Sequence, residues 1–479
     1  MFKKTLIFGM VLGLLGFRAQ AEEKLSLELV KEIRFKERIV DDLGFVNIGL
    51  ATSREDIERI RKASKLSLDE PIFPIRAITI PGKGVRIFDE KGNIEKEIKE
   101  GFLVSENGEY IVSGNEIKTR ENKRLWKGNL LSPKTFRGSV LCLSNIGSIV
   151  SWETRNEKNK DGKRYFIARL NFYDEEGNLK NFTEITPRYF ANRGLKNHFS
   201  LSENGETFAT WDDGEVLAFS KEGRELFKHR LVPKEMVHSL DKIRVSPDGR
   251  FIVVSCFRGR GYLSHPPDYE ERLKKVEKEL ERMLDRGELR EGDQFWTKEN
   301  YDKAYEKLLK EMGIDDKSLL VLDGVGRNTI SLFSRDGKLL WEYNVQPGEL
   351  AISFSPEGDY LGVGDYHNVY LFETETGRLV WKWKNEDTAI GCSGEISLSS
   401  NAEYIVVDFR IKKIPYSEYT PAAYIFNKSG EVILKTYIKD LKGIFPVKIT
   451  PDGKHVIGIR NFKTKPRDGN YGIVIFKRR

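Results

Sequence analysis

The chain has 479 residues, a formal net charge of +7 at pH 7 and a charged fraction of 32%. This length accommodates one very large β domain or two to three ordinary domains. Without Lys3, Lys4 and Arg18 of the N-terminal segment the charge falls to +4, which is too mild to indicate nucleic-acid binding. Lysine and glutamate are prominent among the charged residues, a composition typical of a thermophile.

The first 21 residues have the features of a cleavable signal peptide. Lys3 and Lys4 form a basic start, an apolar run extends from Thr5 to Phe17, and a small-x-small cleavage site lies at 19–21. The apolar run of about 13 residues is short for a bilayer span. The alternative is an uncleaved membrane anchor. We expect cleavage near Ala21, a periplasmic or secreted location, and no transmembrane span in the rest of the chain.

Three stretches with predicted secondary structure follow the leader. SREDIERIRKASKL (53–66) begins with Ser53, a suitable N-cap, and has Asp56 three residues later, which predicts a short helix. VKEIRFKERIV (30–40) and FVNIGLA (45–51) are rich in strand-forming residues. We therefore expect residues 22–74 to contain a closing strand and a short helix.

One hairpin pattern recurs through the remaining chain. Its copies are LVSENGEYIVSG (103–114), SLSENGETFATW (200–211), VSPDGRFIVVS (245–255), SFSPEGDYLGVG (353–364), SLSSNAEYIVVD (397–408), KITPDGKHVIGI (448–459) and a weaker LCLSNIGSIVSW (141–152). In most copies a β-rich run ends in Ser or Thr and is followed by a turn containing Pro, Asp, Asn or Gly and by a second β-rich run. Each copy is therefore predicted to be a β-hairpin.

A second hairpin follows almost every first one. Examples are VLAFSKEGRELFKH (216–229), ISLFSRDGKLLWEY (330–343) and VYLFETETGRLVWKW (369–383). Two hairpins per repeat make four antiparallel strands, and a basic period of about 40 to 45 residues is typical of a β-propeller blade. The sequence therefore predicts an all-β fold, a single β-propeller over residues 75–479.

The number of blades follows from counting strands. The third strand of the repeat occurs eight times, because YGIVIFK (471–477) adds a copy at the end of the chain. We expect residues 30–40 to supply the fourth strand of that last blade, and residues 45–51 and 74–80 to begin an additional N-terminal blade. This arrangement gives eight blades. The alternative is seven blades, with residues 84–98 as the closing hairpin.

The hairpins resemble those of known propeller families. The SPDG-type hairpin resembles that of WD-repeat and of periplasmic translocation-type propellers, although the Trp-Asp pair of WD repeats is missing. The second hairpin, as in LFSRDGKLLW, is similar to the tryptophan-docking repeats of quinoprotein-like propellers. The resemblance implies a bacterial exported β-propeller repeat protein and leaves the function open, because such folds host many functions.

The tryptophan position of the second hairpin is filled unevenly. Trp126, Trp341 and Trp381 occupy it in three repeats. Other residues stand in elsewhere, namely Phe182, Phe227 and Leu434. This variation favours a packing role over docking of a cofactor.

An insertion separates the second and third strands of one predicted blade. DYEERLKKVEKELERMLDR (268–286) and TKENYDKAYEKLLKEM (297–312) carry apolar residues at helical spacing. Thr297 is a suitable N-cap, and Gly313 is suited to the position after the helix end. We expect a helical hairpin over 266–316 that helps to hold a partner. The alternative is a solvated decoration packed on the neighbouring blade.

The two faces of the predicted ring differ in chemistry. Turns after strands one and three are short, uniform and acidic, which is typical of structural turns. Connections after strand two and between blades are longer, and TRNEKNKDGKR (154–164) and RIKKIPYSEY (410–419) are interpreted as loops among them. Basic and aromatic side chains suited to an anionic or peptide partner would converge there; the alternative is ordinary solvated loops. The candidate binding residues are Arg188, Tyr189, Arg193, Arg258, Arg260, Tyr262, His265, Arg410, Lys412, Lys413, Tyr416, Lys463 and Arg467.

No catalytic constellation is recognisable in the sequence. The six histidines are scattered, and HExxH, CxxC and metal-loop patterns are missing. His198, His238, His265 and His367 could reach the basic-aromatic face, but scattered surface histidines are the simpler interpretation. Three cysteines follow no disulfide framework and are expected to be buried: Cys142, Cys256 and Cys392. We assign no catalytic residue, no metal site and no cofactor.

The function predicted from these features is binding rather than catalysis. We expect a non-catalytic exported scaffold of the cell envelope that binds another envelope protein or an anionic ligand through the basic-aromatic loops. Nucleic acid is not expected as a partner of an exported protein. The alternative is a propeller enzyme, quinone-dependent or hydrolytic, that uses the central channel. The oligomeric state is left open.

Overall fold

The computed structural model describes the chain in segments. These are residues 27–34, 48–50, 73–80, 84–99, 101–114, 116–127, 139–158, 164–185, 198–212, 214–232, 237–259, 282, 286, 327–346, 350–365, 367–385, 392–413, 418–437, 444–461 and 471–478. They form eight four-stranded antiparallel sheets, the blades of a β-propeller ring. The predicted fold class is confirmed, with eight blades rather than seven.

The strands of the first four blades follow the chain. Blade 1 consists of β2 (Ile48–Leu50), β3 (Ile75–Ile80), β4 (Gly84–Phe88) and β5 (Ile94–Ile98). Blade 2 consists of β6 (Gly101–Val104), β7 (Tyr110–Ser113), β8 (Glu116–Thr119) and β9 (Arg124–Lys127). Blade 3 consists of β10 (Ser139–Leu143), β11 (Ile149–Lys158), β12 (Arg164–Tyr173) and β13 (Leu179–Ile185). Blade 4 consists of β14 (Phe199–Leu201), β15 (Thr207–Asp212), β16 (Glu215–Ser220) and β17 (Glu225–Arg230).

The next three blades have the same order. Blade 5 consists of β18 (Val237–Val245), β19 (Phe251–Gly259), β20 (Arg327–Ser334) and β21 (Leu339–Val345). Blade 6 consists of β22 (Ala351–Phe354), β23 (Tyr360–Gly364), β24 (Asn368–Glu373) and β25 (Leu379–Lys384). Blade 7 consists of β26 (Cys392–Leu398), β27 (Tyr404–Lys413), β28 (Glu418–Asn427) and β29 (Val432–Tyr437).

Blade 8 joins the two ends of the chain. Its first three strands are β30 (Ile444–Ile449), β31 (His455–Asn461) and β32 (Tyr471–Arg478), and its outer strand is the N-terminal β1 (Leu27–Arg34). β1 pairs antiparallel with β32 from Leu27↔Arg478 to Arg34↔Gly472. Because this pairing connects the first and last strands of the chain, it closes the ring without a covalent bond.

The core lies between neighbouring blades. Val253 and Ile330 of blade 5 share one buried cluster with Leu361 and Val363 of blade 6. Strand residues alternate between the two faces of a sheet, so each blade has an apolar set for each neighbour. Burial of each such side chain contributes about 1.5–3 kcal/mol, which makes the blade interfaces the main source of stability.

The turns between first and second strands link the blades into a ring; the side of the ring that carries them is called the turn side. The Asn107 N–H donates to Asn145 Oδ1 at 2.8 Å, from blade 2 to blade 3. The Asn145 N–H donates to the Glu203 carbonyl at 2.7 Å, from blade 3 to blade 4. The Ser400 N–H donates to the Pro451 carbonyl at 2.8 Å, from blade 7 to blade 8. The short uniform turns therefore connect one blade to the next.

The second hairpins hold neighbouring blades together: an aromatic side chain of one blade packs on a glycine of the next blade. The Trp341 ring of blade 5 packs on Gly377 of blade 6, where a Cβ would lie 2.5 Å from Trp341 Cγ. Gly377 has φ +67°, a conformation that glycine adopts without strain. Trp341 Nε1 also donates to the Thr374 carbonyl at 2.7 Å. The repeated tryptophan thus serves packing between blades.

Blade 3 departs from the predicted pattern at this position. Asn181 pairs with Phe172 in the same way that Trp341 pairs with Leu332, so Asn181 and not Phe182 occupies the tryptophan position. Asn181 Nδ2 donates to the Gly223 carbonyl of blade 4 at 3.0 Å. The Phe182 ring is half exposed and lies under the Arg169 guanidinium at 3.6 Å. The assignment of Phe182 to the repeat position is wrong by one residue.

Several predicted segments have a different extent or are not described. Residues 154–158 and 410–413 are strand rather than loop, which corrects the sequence interpretation. The leader and the helix expected at 53–66 lie outside the described residues. In the insertion only Arg282 and Arg286 are described; they form one helical hydrogen bond, from the Arg286 N–H to the Arg282 carbonyl at 3.0 Å. The helical hairpin over 266–316 stays a prediction. No helix among the described residues is long and apolar enough to span a bilayer.

Candidate binding face

Two blades extend a two-stranded ribbon beyond the ring. In blade 3, β11 and β12 are ten residues long each, and in blade 7, β27 and β28 are also ten residues long each. The corresponding strands of blade 2 have four residues each. Within the described residues, the first strand of blade 7 begins at Cys392, which pairs with Phe409 of β27. Residues 410–413 therefore continue for about 13 Å past that point, at about 3.4 Å per residue.

Both ribbons extend on the same side of the ring. Every second strand begins at a turn of the turn side and runs to the opposite side, which is called the loop side. In blade 7 the ladder between β27 and β28 continues to Lys413↔Glu418, and in blade 3 the ladder between β11 and β12 continues to Lys158↔Arg164. The ends of the ribbons are therefore the most distant described parts of these blades on the loop side.

The ribbons face each other across the ring. Blades 3 and 7 are four positions apart in a ring of eight, so they stand on opposite sides of the central channel. Blade 5 stands midway between them and extends its first strand as well, with Val237 of β18 paired to Gly259 of β19. Blades 4 and 6 have short connections at this place, such as Asp212 to Glu215 and Gly364 to Asn368. The described loop side thus has raised walls at blades 3, 5 and 7.

Four of the predicted binding residues lie on these walls. Arg258 is near the end of β19 and pairs with His238. Arg410, Lys412 and Lys413 form the end of β27. The nine others lie outside the described residues: Arg188, Tyr189, Arg193, Arg260, Tyr262, His265, Tyr416, Lys463 and Arg467. Whether these side chains form one surface stays a prediction.

The inner strands of the blades bound the central channel. Ser200 lies two residues before Ser202, the turn serine of blade 4. Its Oγ accepts a hydrogen bond from the Val245 N–H of blade 5 at 2.9 Å. Ser397 Oγ of blade 7 accepts one in the same way from the Ile449 N–H of blade 8 at 3.1 Å. These hydroxyl groups are therefore used to join neighbouring inner strands, a role that the repeat pattern alone did not indicate.

Cys142 takes the equivalent position in blade 3. Its sulfur is hydrogen-bonded by the backbone of Leu201 in blade 4, and burial raises the pKa of the thiol to about 12 although the Arg244 charge opposes this shift. Cys256 is buried in blade 5, and neither thiol forms a disulfide. The expectation of buried cysteines fits Cys256, whereas Cys142 is half-buried; the side chain of Cys392 lies outside the described residues.

Cys142 and Cys256 are therefore expected to resist alkylation in the folded protein. At pH 8 a thiol with a pKa near 12 is almost wholly protonated, and the thiolate is the reacting species. A Cys392→Ser variant isolates the two residues. We expect no uptake of iodoacetamide over about an hour by the native chain and full labelling after unfolding in urea. Labelling of the native chain as fast as of the unfolded chain would contradict the raised pKa of Cys142 and the protection of the buried Cys256.

An ion pair joins blade 8 to blade 2 on the turn side, at the edge of the central channel. Lys448 Nζ of blade 8 lies 3.1 Å from Glu106 Oε2 of blade 2, past the short inner strand of blade 1. The charge of Glu106 raises the pKa of Lys448, and Glu395 and Glu203 add to this effect. The charges of carboxylates from blades 2, 4 and 7 thus favour the charged form of one ammonium group, and Glu106 is the one in contact with it. In the described part of the chain, no group of three or more His, Cys, Asp or Glu side chains is arranged to hold a metal ion.

Comparison with known proteins finds likeness in solved structures alone. No family model and no curated protein matches the chain. A eukaryotic initiation factor shares 12% identity over 79% of this chain and 76% of that chain, with a TM-score of 0.42. An acylaminoacyl peptidase of Pyrococcus horikoshii shares 14% over 68% and 43%, with a TM-score of 0.36. The β-propeller domain of the Trilobed protease from Pyrococcus furiosus shares 12% over 70% and 80%, with a TM-score of 0.33. None of these likenesses carries a functional argument.

Proposed function

We propose that this protein is a non-catalytic, exported β-propeller scaffold of the cell envelope that binds a protein or an anionic ligand through its loop side. The observation that carries the proposal is the length of the second and third strands in blades 3 and 7, which extend beyond the ring on the loop side. In blade 5, β18 and β19 are long as well. A ring held by eight packed blades presents these walls in a fixed arrangement. Such preorganisation lowers the entropic cost of binding.

The charges of the two sides support an anionic partner on the loop side. The described turns after the first strands contain nine carboxylates against two cations, at 105–109, 144–148, 202–206, 246–250, 355–359, 399–403 and 450–454. Many of these carboxylates bind the next blade, as when Asn145 Nδ2 donates to Glu203 at 2.8 Å. On the loop side, the end of β27 carries Arg410, Lys412 and Lys413. An anionic partner is therefore repelled from the turn side and attracted to the loop side.

The experiment is a pull-down from envelope extract with two charge-reversed variants. The first variant carries Glu at Arg258, Arg260, Lys412 and Lys413. The matched control carries Glu at four exposed cations in turns of the turn side: Lys91, Lys123, Lys338 and Lys454. We expect the wild type and the control to retain the same partner and the first variant to lose it, because reversal turns attraction into repulsion. Equal recovery by all three proteins would overturn the assignment to the loop side.

A further inference from the structure

We propose that the interface between blades 1 and 2 is a joint of the ring that acid releases. Ion pairs around the largely buried Arg76 and Arg120 hold this joint, and it opens when the carboxylates beside them are neutralised. The inference goes beyond the proposed function, because it concerns a change in the ring itself and not the partner on the loop side. Opening at the joint gives lateral access to the central channel.

Arg76 takes a place that tyrosine fills in other blades. The turn glycine of the following blade packs on Tyr110 in blade 2 and on Tyr404 in blade 7, where a Cβ would lie 3.1 Å and 2.7 Å from the ring. In blade 1 the corresponding contact joins Arg76 to Gly108 of blade 2, where a Cβ would lie 2.5 Å from Arg76 Cβ. A guanidinium group therefore stands at the joint where two other interfaces have an aromatic ring.

The tryptophan position of blade 1 is a lysine. Lys96 lies four residues after the turn glycine Gly92. Its Nζ donates to the Glu121 carbonyl of blade 2 at 3.3 Å, as Trp341 Nε1 donates to the Thr374 carbonyl of blade 6. Cations thus replace aromatic rings at both of these positions in blade 1.

Two guanidinium groups cross the joint in opposite directions. The Arg76 side chain of blade 1 is 5% exposed and lies 3.4 Å from Glu90 of its own blade and 3.8 Å from Glu109 of blade 2. The Arg120 side chain of blade 2 is 11% exposed and lies 2.9 Å from Glu95 of blade 1. Arg120 also donates to a backbone carbonyl of blade 1. Each blade therefore sends one buried cation to the carboxylates of the other.

The two guanidinium groups depend on these carboxylates. Burial lowers the pKa of Arg76 and the charge of Arg120 lowers it further, whereas the charges of Glu109 and Glu90 raise it. Arginine keeps its charge in proteins. A buried charge that loses its partner is strongly destabilising. Neutral carboxyl groups would thus leave two like charges uncompensated at the joint.

The apolar part of the joint has small side chains. Among the described residues, its buried cluster consists of one alanine and five aliphatic residues, namely Ala77, Val85, Ile87, Ile98, Val104 and Ile111. The cluster between blades 5 and 6 also contains phenylalanine and tyrosine. Hydrophobic stabilisation is proportional to the apolar area buried, so a larger share of the stability of the joint falls to its ion pairs.

Charge also connects blade 2 to blade 8, on the far side of blade 1. Lys448 Nζ of blade 8 lies 3.1 Å from Glu106 Oε2 of blade 2. The Leu50 N–H of blade 1 donates to the carbonyl of the same Glu106 at 2.6 Å. Neutralising Glu106 therefore removes the ion pair that holds blades 8 and 2 together past blade 1.

Acid acts on all of these pairs together. An ion pair contributes only while its carboxylate is charged, and glutamate takes up a proton at about pH 4. The contribution is therefore present at neutral pH and is lost as the pH falls. The charged residues near the joint are Arg76, Asp89, Glu90, Lys91, Glu95 and Lys96 of blade 1 and Glu106, Glu109, Glu116, Lys118, Arg120, Glu121, Lys123 and Arg124 of blade 2. Their cations remain in acid and repel one another.

The test measures the distance between two spin labels across the joint by pulsed electron paramagnetic resonance. In the full-length Cys392→Ser chain, the labels are attached to Lys91→Cys and Lys123→Cys, in exposed turns of blades 1 and 2. The control pair, Lys338→Cys and Glu375→Cys, spans blades 5 and 6. Between pH 7 and about pH 3.5 we expect the first distance to lengthen and broaden reversibly and the second to stay the same. An unchanged first distance, or an equal change in both, would overturn the proposal.

Variants at neutral pH separate the ion pairs from a general effect of acid. Glu95→Gln combined with Glu109→Gln is expected to speed hydrogen exchange in β3, β4, β6 and β7 at least about tenfold, because two buried charges lose their partners. The matched control is Glu97→Gln, which neutralises the partner of Arg86 at 2.6 Å within blade 1. Exchange in this control is expected to match the wild type. Equal acceleration in both proteins would contradict a role for the pairs across the joint.

A second double variant removes the cations instead of the carboxylates. Arg76→Met combined with Arg120→Met puts apolar side chains at the joint, and such replacement of buried ion pairs is often tolerated. We expect the label distance between positions 91 and 123 to be the same in acid as at neutral pH in this variant. Opening in acid to the same extent as in the wild type would show that other groups drive the change, and would overturn the proposal.

Discussion

Replacing Asp365 with alanine is expected to lower the free energy of unfolding by about 4 kcal/mol, because the change removes the shared acceptor of several buried donors. Asp365 is fully buried in the connection between β23 and β24. Its Oδ1 accepts from the His367 N–H at 2.9 Å and from the Asn368 N–H at 2.7 Å. Its Oδ2 accepts from the Tyr370 hydroxyl at 2.8 Å. Alanine would leave the donors of the buried residues Asn368 and Tyr370 without this acceptor.

A graded series distinguishes this network from a general effect of substitution. Tyr370→Phe removes one donor and keeps the carboxylate, so a loss of about 2 kcal/mol is expected. Burial raises the pKa of Tyr370, and the charge of Asp365 adds to the shift, so the phenol stays protonated and can donate. The control is Asp336→Ala, which alters an exposed aspartate in a turn of blade 5.

The measurement is urea-induced unfolding followed by tryptophan fluorescence. The control is expected to unfold close to the wild type, Tyr370→Phe earlier, and Asp365→Ala earliest. A loss in Asp365→Ala no larger than that in Asp336→Ala would contradict the role assigned to the buried carboxylate.

The fold was largely predictable because the turn chemistry repeats. Each Ser or Thr, followed in most copies by a glycine with positive φ such as Gly249 or Gly358, begins a turn that leads into the second strand of a blade. The blade count followed from YGIVIFK (471–477), since a third strand without a fourth requires a partner from elsewhere. The observed β1 begins at Leu27 rather than residue 30, an error of the size that sequence patterns allow at strand ends.

The ribbons were not predictable from residue type. Residues 154–158 and 410–413 are mostly charged or polar, and such residues are poor strand formers, so these segments were interpreted as loops. They are strands because the ladder of the same hairpin continues through them, pair by pair, without an irregularity. Cross-strand hydrogen bonding here overrides propensity. The sequence analysis therefore did not show that three segments of the loop side are raised walls.

The sequence analysis placed Phe182 wrongly and overlooked Asp365, each for a local reason. The assignment of Phe182 failed because it followed the aromatic residue type and not the spacing from the turn glycine: Asn181 lies four residues after Gly177, as Trp341 lies four residues after Gly337. Asp365 gave no signal, because an aspartate after a strand is usual in an exposed turn. Its role depends on Tyr370, which lies in the next strand, β24, and donates its hydroxyl group to the Asp365 carboxylate.

Deleting residues 1–34 is expected to open blade 8 and to destabilise it by about 4 kcal/mol, because about seven cross-strand pairs of a few tenths to one kcal/mol each are lost. β1 covers the outer edge of β32 from Gly472 to Arg478. Without it the last blade has three strands and an open edge. Blade 8 is then held only by its contacts with other blades. Examples are the hydrogen bond from the Ser400 N–H to the Pro451 carbonyl at 2.8 Å and the Lys448–Glu106 ion pair at 3.1 Å.

The expected result is measured by hydrogen exchange of backbone amides. A loss of about 4 kcal/mol corresponds to an increase of about a thousandfold in exchange through opening of β31 and β32. Blades 4 and 5 are remote from the deletion and are expected to keep their protection. The matched control deletes residues 1–26, which removes the expected leader and leaves β1 whole, so exchange in blade 8 is expected to match the full-length chain. Unchanged protection of β31 and β32 in the longer deletion would mean that contacts with blades 7 and 2 close the ring without β1. An equal loss in both deletions would place the closing contacts before Leu27 instead of in the β1–β32 ladder.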